Sequence, residues 1–398
     1  MDAKTAQEVR NQANSSAFVQ SPLLNNRYSL PSKPKQVLPF IESIATGTPN
    51  NIVPQSDAAT FVANLPTLEK NRSRIEKLYQ NTRIDTRHLA VNLLSEETIA
   101  FSRQRGTLQT RMQLYKEYAV PLAEQVVKKA LANGTEEMKE AIGLIVFVSS
   151  TGFVAPGVDA ALIQNLGLRR DIGRVTVNFM GCAAAMNGLR IACDHVRANP
   201  MQKALVVCLE LSSVNAVFED EMNDVIIHSI FGDGCAAVVI GACEVGKAIG
   251  SGKVVIRDHL SHLVEDTEDG ITLGIQDNGI TCKLSRQLPD YIEAKVGSVI
   301  EQFLTSHSLT KAEIDLWAVH PGGTRIIEKS QRSLGLSDRQ VADSWEILRQ
   351  YGNMLSASVL FVLERMLSRT ASEQAFITGL AFSFSPGVGI EGLLFQKV

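Results

Sequence analysis

The chain has 398 residues, a hydrophobic fraction of 45% and a formal net charge of −3. This length and apolar content suffice for a large core or for two packed halves. The near-neutral charge gives no general electrostatic reason to bind nucleic acid or an anionic membrane.

The predicted elements begin after a polar segment. Residues 1–36 are rich in Asn, Ser, Gln and Pro, and we expect them to form a flexible arm without a signal peptide. Short β-branched runs then alternate with helix-length segments, which predicts an α/β fold with strands buried between helix layers. The predicted strands are LIVFVSS, RVTVNF, ALVVCLEL, CAAVVIGA, DLWAVHP, AFITGLAF and GIEGLLF. The predicted helices are LYKEYAVPLAEQVVKKALANG, AAAMNGLRIACDHVRANP, YIEAKVGSVIEQFLTSHS and MLSASVLFVLERMLSR.

The cysteine pattern bears on the cell compartment. The chain has 6 cysteines, none of them in a C-x-x-C pair and most of them inside apolar runs. This favours reduced thiols in a cytoplasmic protein over a disulfide framework or a zinc site. The most apolar stretch, residues 142–158, is interrupted by Gly, Ser and Pro and is too short to span a bilayer.

An internal repeat relates two parts of the chain. LIVFVSSTG resembles DLWAVHPGG and aligns Ser149 with His320, while the glycine-preceded Cys182 aligns with the glycine-preceded Asn353. LELSS at Leu209 aligns with LAFSF at Leu380, and all three separations equal 171 residues. A single offset shared by three matches predicts a duplicated unit.

Duplicated halves that pack about a pseudo-twofold axis would bring equivalent positions together. Cys182 and Asn353 would then begin two facing helices, with His320 at the end of a strand beside them. A helix N-terminus and a nearby imidazole both favour the thiolate, which is the nucleophilic form of cysteine. The side-chain N–H groups of His and Asn can bind an oxyanion, so the three residues suit acyl transfer through an enolate.

Simpler interpretations exist for each residue. Cys182 taken alone is a small buried hydrophobe, His320 a capped histidine and Asn353 a helix N-cap. The sequence GVGIEG at Gly387 fits G-x-G-x-x-G but precedes a strand instead of a helix, so a dinucleotide site is not predicted. His259 and His262 lack an evident third ligand, and no metal site is predicted.

The motifs taken together resemble the thiolase superfamily, and specifically the type III polyketide synthases of the chalcone and stilbene synthase family. The resemblance covers Ile41 to Val398 and depends on GCAAA around Cys182, IFGDGCAA around Phe231, HPGG at His320 and YGNM at Asn353. It implies a thiolase-like fold of two duplicated βαβαβαββ halves in five αβαβα layers. The halves would span 37–245, which contains the nucleophile, and 246–398, which contains His and Asn.

The resemblance also implies a mechanism. Cys182 would accept an acyl group from an acyl-CoA or an acyl carrier protein, and His320 with Asn353 would hold malonyl-CoA during decarboxylation and Claisen condensation. Phe231 matches the family's gatekeeping Phe, and Arg74 and Lys77 fall where basic residues meet the phosphates of CoA. Coenzyme A thioesters would be substrates, no resident cofactor is expected, and the enzyme would be a homodimer.

Departures from the family pattern concern the substrate cavity. The usual Gly-Phe-Gly-Pro-Gly is here Ser383-Phe384-Ser385-Pro386-Gly387, which changes the segment expected to guide cyclisation. Plant flavonoid enzymes carry Phe, Gly and Phe at the positions of Ala216, Leu273 and Cys282. Similarity to bacterial members therefore favours a long fatty acyl starter and an alkylresorcinol or alkylpyrone product. The predicted cavity positions are Thr151, Ser212, Asn215, Ala216, Leu273, Cys282, Leu355 and Phe384.

Three alternatives remain open from the sequence. One is a chalcone or stilbene type of synthase that uses an aromatic starter. Another is a single-condensation enzyme that resembles β-ketoacyl synthase III, although IFGDG and YGNM fit the type III synthases better. A third is a scaffold without activity, which the presence of Cys182, His320 and Asn353 disfavours.

Overall fold

Strands and helices alternate along the chain as the hydrophobic pattern predicts. The computed structural model describes residues 37–95, 106–132, 136–217, 222–370 and 376–398, and the predicted arm 1–36 lies outside them. The strands are β1 (Val37–Gly47), β2 (Ile52–Pro54), β3 (Thr86–His88), β4 (Ile142–Ser149), β5 (Gly173–Asn178), β6 (Lys203–Leu211), β7 (Asp233–Glu244), β8 (Val254–Leu263), β9 (Ile271–Gln276), β10 (Gly279–Leu284), β11 (Leu316–Val319), β12 (Ile377–Ser385) and β13 (Gly389–Lys397).

The helices fall between these strands. They are α1 (Gln55–Ala63), α2 (Arg72–Gln80), α3 (Leu108–Leu131), α4 (Glu136–Ala141), α5 (Val158–Asn165), α6 (Ala184–Ala198), α7 (Met222–Ile230), α8 (Val245–Ala248), α9 (Leu288–Ser306), α10 (Thr324–Leu334), α11 (Asp338–Tyr351) and α12 (Ser358–Arg369). Short 3-10 turns occur at Glu69–Asn71, Gly181–Ala183, Ser212–Asn215, Lys311–Glu313 and Leu355–Ala357. No helix within the described ranges is both long and apolar enough to cross a membrane.

A 9-stranded sheet organises the fold, in the order β11-β12-β13-β8-β1-β7-β6-β4-β5. At its middle, β1 pairs with β8 only through Phe40 with Val255 and Ile41 with Val254. The sheet is therefore two blocks that meet at a narrow antiparallel seam.

The two blocks repeat one pairing scheme. β4 pairs with β6 in parallel, as β11 does with β12. Next come the antiparallel pairs β6 with β7 and β12 with β13, and then β7 with β1 and β13 with β8. Within the described ranges, β5 extends the first block without a counterpart in the second. The duplication predicted from the 171-residue offset is confirmed, and the predicted boundary at 245 and 246 falls in the connection between β7 and β8.

Side chains on opposite faces of the strands create the layers. On β4, Ile145 and Phe147 pack in a core cluster with α3, whereas Val146 and Val148 pack in another with α6 and α12. A third cluster joins Leu380 and Phe382 of β12 to α9, α10 and α11. Helices α6 and α12 thus lie between the two blocks of sheet, which gives the predicted αβαβα order. Burying each of these large apolar side chains stabilises the fold by about 1.5–3 kcal/mol.

Candidate active site

Cys182 lies in the 3-10 turn that connects β5 to α6. The backbone just before this cysteine has positive φ at two positions, Phe179 at 58° and Gly181 at 56°. Gly181 N–H donates to Ser150 Oγ at 3.0 Å, and a Cβ on this glycine would lie 3.3 Å from Pro386. The reversed backbone therefore suits glycine and presents Cys182 two residues before a helix that starts with fully buried alanines.

Asn353 comes from the second block and is held by its backbone. It forms an isolated bridge with Phe231, with Asn353 N–H donating to Ile230 O at 2.9 Å and Gly232 N–H donating to Asn353 O at 3.0 Å. The prediction that Asn353 begins a helix is wrong, because α12 begins at Ser358 after a 3-10 turn at Leu355–Ala357. The extended bridge places Asn353 beside Cys182 instead.

The amide of Asn353 has a fixed orientation. Leu355 N–H donates to Oδ1 at 2.8 Å, and Nδ2 donates to Gly322 O at 3.2 Å. Nδ2 also lies 3.9 Å from the Sγ atom of Cys182. Oδ1 lies 4.0 Å from the same sulfur, so both amide atoms adjoin the thiol, and Nδ2 is the one that can donate to a substrate oxygen next to it.

His320 directly follows β11, and its backbone N–H donates to Phe382 O at 3.0 Å. The ring is buried, and neither ring nitrogen has a hydrogen-bond partner among the described residues. Burial lowers the pKa of His320 to about 3, so the imidazole is neutral. Gly322 allows this arrangement, since a Cβ there would lie 3.0 Å from the ring. A neutral, unpartnered imidazole in the cavity is available to accept a proton or to donate one to a substrate.

The electrostatics correct one expectation. Burial raises the pKa of Cys182 above its usual value, Cys282 adds to the increase, and the hydrogen bond from Asn353 only partly opposes it. The helix terminus and the imidazole do not overcome this desolvation. Burial therefore favours the neutral thiol, in the direction opposite to the thiolate expected from the sequence.

One apolar cavity contains the three groups. Cys182, His320 and Asn353 line it together with four of the residues that the sequence assigned to the cavity. Phe231 lies at the same cavity, and its carbonyl accepts a hydrogen bond from buried Arg87 at 3.0 Å. The four predicted cavity residues found here are Leu273, Cys282, Leu355 and Phe384.

Two further cavities continue from this one beneath the hairpin of β9 and β10. The second contains the predicted residues Thr151, Ser212 and Asn215 and shares Phe231, Leu273, Cys282 and Leu355 with the first. The third shares Asn215, Ile227, His228, Ile280, Thr281 and Cys282 with the second. Its lining includes the exposed residues Gln276 and Lys283, so this third cavity lies at the protein surface, and shared wall residues link the three cavities in a row.

Ala216 lies apart from these cavities. It is buried in the cluster that packs on α3, its carbonyl accepts a hydrogen bond from Arg111 at 3.0 Å, and it is absent from the linings of all three cavities. The neighbouring Asn215 lines two of them, with Nδ2 donating to Thr151 O at 2.7 Å. The influence of Ala216 on the starter stays a prediction.

Arg74 and Lys77 are exposed on α2, away from the described cavity linings. The end of this helix is tied to the start of α10, where Thr324 Oγ1 donates to Asn81 O at 3.1 Å and to Thr82 O at 2.9 Å. Ile326 of α10 lines the cavity of Cys182. The two basic side chains thus lie on a helix that adjoins one side of the cavity, and their contact with CoA stays a prediction.

Sequence reasoning missed Glu210, a buried carboxylate next to the site. It accepts hydrogen bonds from Ser150 N at 2.9 Å, from Thr151 Oγ1 at 2.9 Å and from the Ser356 hydroxyl. Burial raises the pKa of Glu210 to about 7. The first two partners belong to one block and Ser356 to the other, so the carboxyl joins the halves. A charged residue inside the apolar run ALVVCLEL was the available signal.

Comparison with known proteins places this geometry in a family. The sequence matches the N-terminal domain of chalcone and stilbene synthases over residues 32–244 and their C-terminal domain over residues 256–398. It is 53% identical over 369 residues to the alpha-pyrone synthesis polyketide synthase-like Pks18 of Mycobacterium tuberculosis, covering 93% of this chain and 94% of that protein.

Solved structures agree with the sequence matches. PKS-I from the brown alga Ectocarpus siliculosus superposes with a TM-score of 0.87 at 43% identity, covering 92% of this chain and 100% of the other. The C-terminal type III polyketide synthase domain of Steely1 from Dictyostelium gives a TM-score of 0.82 at 28% identity, covering 91% and 99%.

Proposed function

We propose that this chain extends a long-chain fatty acyl starter with malonyl-CoA to an alkylpyrone or alkylresorcinol. The chain belongs to the chalcone and stilbene synthase family and is a type III polyketide synthase. The observation that carries the proposal is the series of cavities that begins at Cys182 and reaches the surface. The name of the mycobacterial relative refers to alpha-pyrone synthesis, which supports the alkylpyrone, a lactone, as the product.

The first step is acylation of Cys182. As the thioester enters the cavity, the neutral His320 ring accepts the thiol proton while the sulfur attacks the acyl carbonyl. The thiolate of coenzyme A, or of an acyl carrier protein, leaves and takes up a proton. Because burial favours the neutral thiol, this proton transfer to His320 accompanies the attack of the sulfur on the acyl carbonyl.

The second step makes the carbon nucleophile. His320 and the Asn353 amide donate hydrogen bonds to the thioester oxygen of malonyl-CoA, where negative charge develops. The malonyl carboxylate leaves as carbon dioxide, and its bonding electrons form the enolate. The enolate carbon attacks the acyl carbonyl on Cys182, and the cysteine sulfur leaves. Transfer of the extended chain back to Cys182 allows another cycle without a resident cofactor.

The starter would occupy the cavity series. Leu273, Cys282 and Leu355 line both of its first two members, and Ile280 lines the second and third. Each methylene buried along such a path contributes about 0.8 kcal/mol to binding. Several methylenes together favour a long chain strongly over a short one.

A homodimer in the cytoplasm is part of the proposal. β5 is the open edge of the 9-stranded sheet, and residues 173–176 on it are exposed. Val175 and the nearby Phe153 are large apolar side chains at that edge, exposed by 36% and 38%. A second copy of the chain would cover this edge, which otherwise presents unpaired backbone groups to solvent. The 6 free thiols suit the reducing cytoplasm.

The test is turnover of malonyl-CoA with a series of acyl-CoA starters from short to long, with products identified by mass. We expect the ratio of turnover with long starters to turnover with short ones to exceed 1, and Ile280→Phe to reduce that ratio sharply. Ala216→Phe, which adds the same side chain at a position outside the three cavity linings, tests the separate prediction that residue 216 affects the starter. If Ala216→Phe changes the ratio and Ile280→Phe does not, the chain takes another path. Products from aromatic starters alone would refute the long-chain proposal.

A further inference from the structure

Three consecutive residues of β12 contact three parts of the active site. The carbonyl of Phe382 accepts the backbone N–H of His320 at 3.0 Å. The hydroxyl of Ser383 donates to the carbonyl of Cys182 at 2.7 Å. Phe384 lines the cavity that contains both catalytic side chains. This short segment of β12 therefore contacts both His320 and Cys182.

The contact of Ser383 crosses between the two halves. His320 and β12 belong to the second block, whereas Cys182 enters the site from the first. The hydrogen bond that joins His320 to Phe382 of β12 is between backbone atoms, so it does not depend on either side chain. The bond to Cys182 depends on a hydroxyl group, so it is specific to the residue at position 383. Ser383 is fully buried, and its bond is therefore shielded from competing water.

We propose that Ser383 is a positioning residue that fixes the nucleophile turn against the strand holding His320, and so keeps the Cys182 sulfur where the imidazole can take its proton. The consequence of this role for turnover rests on the proposed function, but its consequence for thiol reactivity does not.

Ser383 also departs from the pattern of the family, which has glycine at this position in Gly-Phe-Gly-Pro-Gly. The same segment has a second serine, Ser385, and this provides a matched control. The hydroxyl of Ser385 faces Gly389, where a Cβ would come within 2.0 Å of it. Both serines are buried on β12, and only Ser383 is bonded to Cys182.

The experiment measures the reaction of Cys182 with iodoacetamide as a function of pH, with the modified peptide identified by mass. We expect Ser383→Ala to slow alkylation about fivefold and to move its pH midpoint upward, as loss of one positioning hydrogen bond predicts. Ser383→Gly, the residue of the family pattern, should fold and show the same loss. Ser385→Ala should match the unmodified protein.

A second measurement separates positioning from general damage. Decarboxylation of malonyl-CoA depends on His320 and Asn353, so we expect Ser383→Ala to leave it within about twofold when Cys182 is already replaced by alanine. Equal loss of alkylation and decarboxylation, or an unchanged alkylation profile in folded Ser383→Gly, would overturn the proposal. If the unmodified protein is alkylated normally but is not acylated by any acyl-CoA, the proposed function fails and the role of Ser383 stands.

Discussion

The two blocks of the molecule share one order of strands but present different groups at equivalent positions. Where the first block places Cys182, the second places Asn353, 171 residues later. Where the first ends β4 with Ser149, the second follows β11 with His320. In the proposed mechanism one half thus provides the nucleophile and the other the base and the oxyanion donor, so that neither half alone would contain a complete site.

Local geometry explains why the equivalent residues act differently. Cys182 lies inside a 3-10 turn, whereas Asn353 lies in an extended bridge two residues before its own turn. The hydroxyl of Ser149 accepts a hydrogen bond from buried Tyr115 at 2.8 Å, whereas the ring of His320 has no partner among the described residues. The equivalent positions therefore differ both in local backbone structure and in hydrogen bonding.

The strongest way to break this comparison is to remove the nucleophile. Cys182→Ala should abolish polyketide formation completely, because no other thiol is expected to accept the starter. Decarboxylation of malonyl-CoA should continue, since it needs the donors of the second block only. Measurement of carbon dioxide release and of product separates the two. Product formation by the folded variant would show that another residue carries the acyl chain.

Removal of the groups of the second block should have the reverse effect. We expect His320→Ala and Asn353→Ala each to slow malonyl-CoA decarboxylation about 10²–10³-fold, the usual cost of one oxyanion donor. Asn353→Ala should still be acylated at Cys182, whereas His320→Ala should be acylated slowly because it has lost the proton acceptor. Intact mass reports acylation. Decarboxylation at the native rate in Asn353→Ala would mean that its amide has only a structural role.

Glu210, whose carboxyl accepts hydrogen bonds from both blocks, gives a prediction about how stability depends on pH. Burial raises the pKa of Glu210 from 4.5 to about 7, so the folded state retains a proton that the unfolded state has lost over that range. The contribution of this group to the free energy of unfolding is full below pH 4.5 and falls as pH rises through 7, by on the order of 3 kcal/mol.

Glu210→Gln removes this dependence. The stability of the natural protein relative to the variant should therefore decline between pH 4.5 and 7, as measured by urea denaturation at several pH values. The other buried titratable groups are present in both proteins and cancel in the difference. A difference that does not change with pH would mean that Glu210 is ionised in the folded protein.

The smallest expected effect concerns the counterpart of His320. Ser149→Ala removes the hydroxyl that Tyr115 contacts, and we expect it to cost about 1 kcal/mol of stability. Decarboxylation should stay within about twofold of the native rate. Thermal unfolding and carbon dioxide release are the two measurements. A large loss of decarboxylation would show that the equivalent position in the first block also contributes to the chemistry.

Much of the fold follows from local patterns in the sequence. The apolar runs predicted β4, β5, β6 and β7 and also β11, β12 and β13, and the constant offset predicted that the two sets correspond. β9 and β10 were not predicted, because ITLGIQ and GITCKL are only partly buried and form a hairpin over the cavities. The predicted start of α3 at Leu114 falls after the observed start at Leu108. The Thr107 N-cap precedes a polar first turn that gave no apolar signal, and the helix tolerates Pro121 inside it.

The site was predicted in its residues more than in its energetics. Position and motif predicted that Cys182, His320 and Asn353 lie close together, and they line one cavity, because a duplicated fold converts sequence offset into proximity. The raised pKa of Cys182 was not predictable, since it depends on burial by distant segments and on an additional charge interaction with Cys282. The orientation of Ala216 was also not predictable, because its neighbour Asn215 lines the cavities and Ala216 packs in the core cluster instead.

The narrow seam between the blocks has a consequence for how the chain folds. β1 is an 11-residue strand whose partners β7 and β8 are about 200 residues away, as the pairing of Val37 with Glu244 shows. At typical translation rates of about 5–20 residues per second, β1 waits roughly 10–40 s on the ribosome before a partner strand exists. Such long-range pairing makes folding slow, and the waiting strand is a binding site for chaperones. The central strand of the finished sheet is thus synthesised first and paired late.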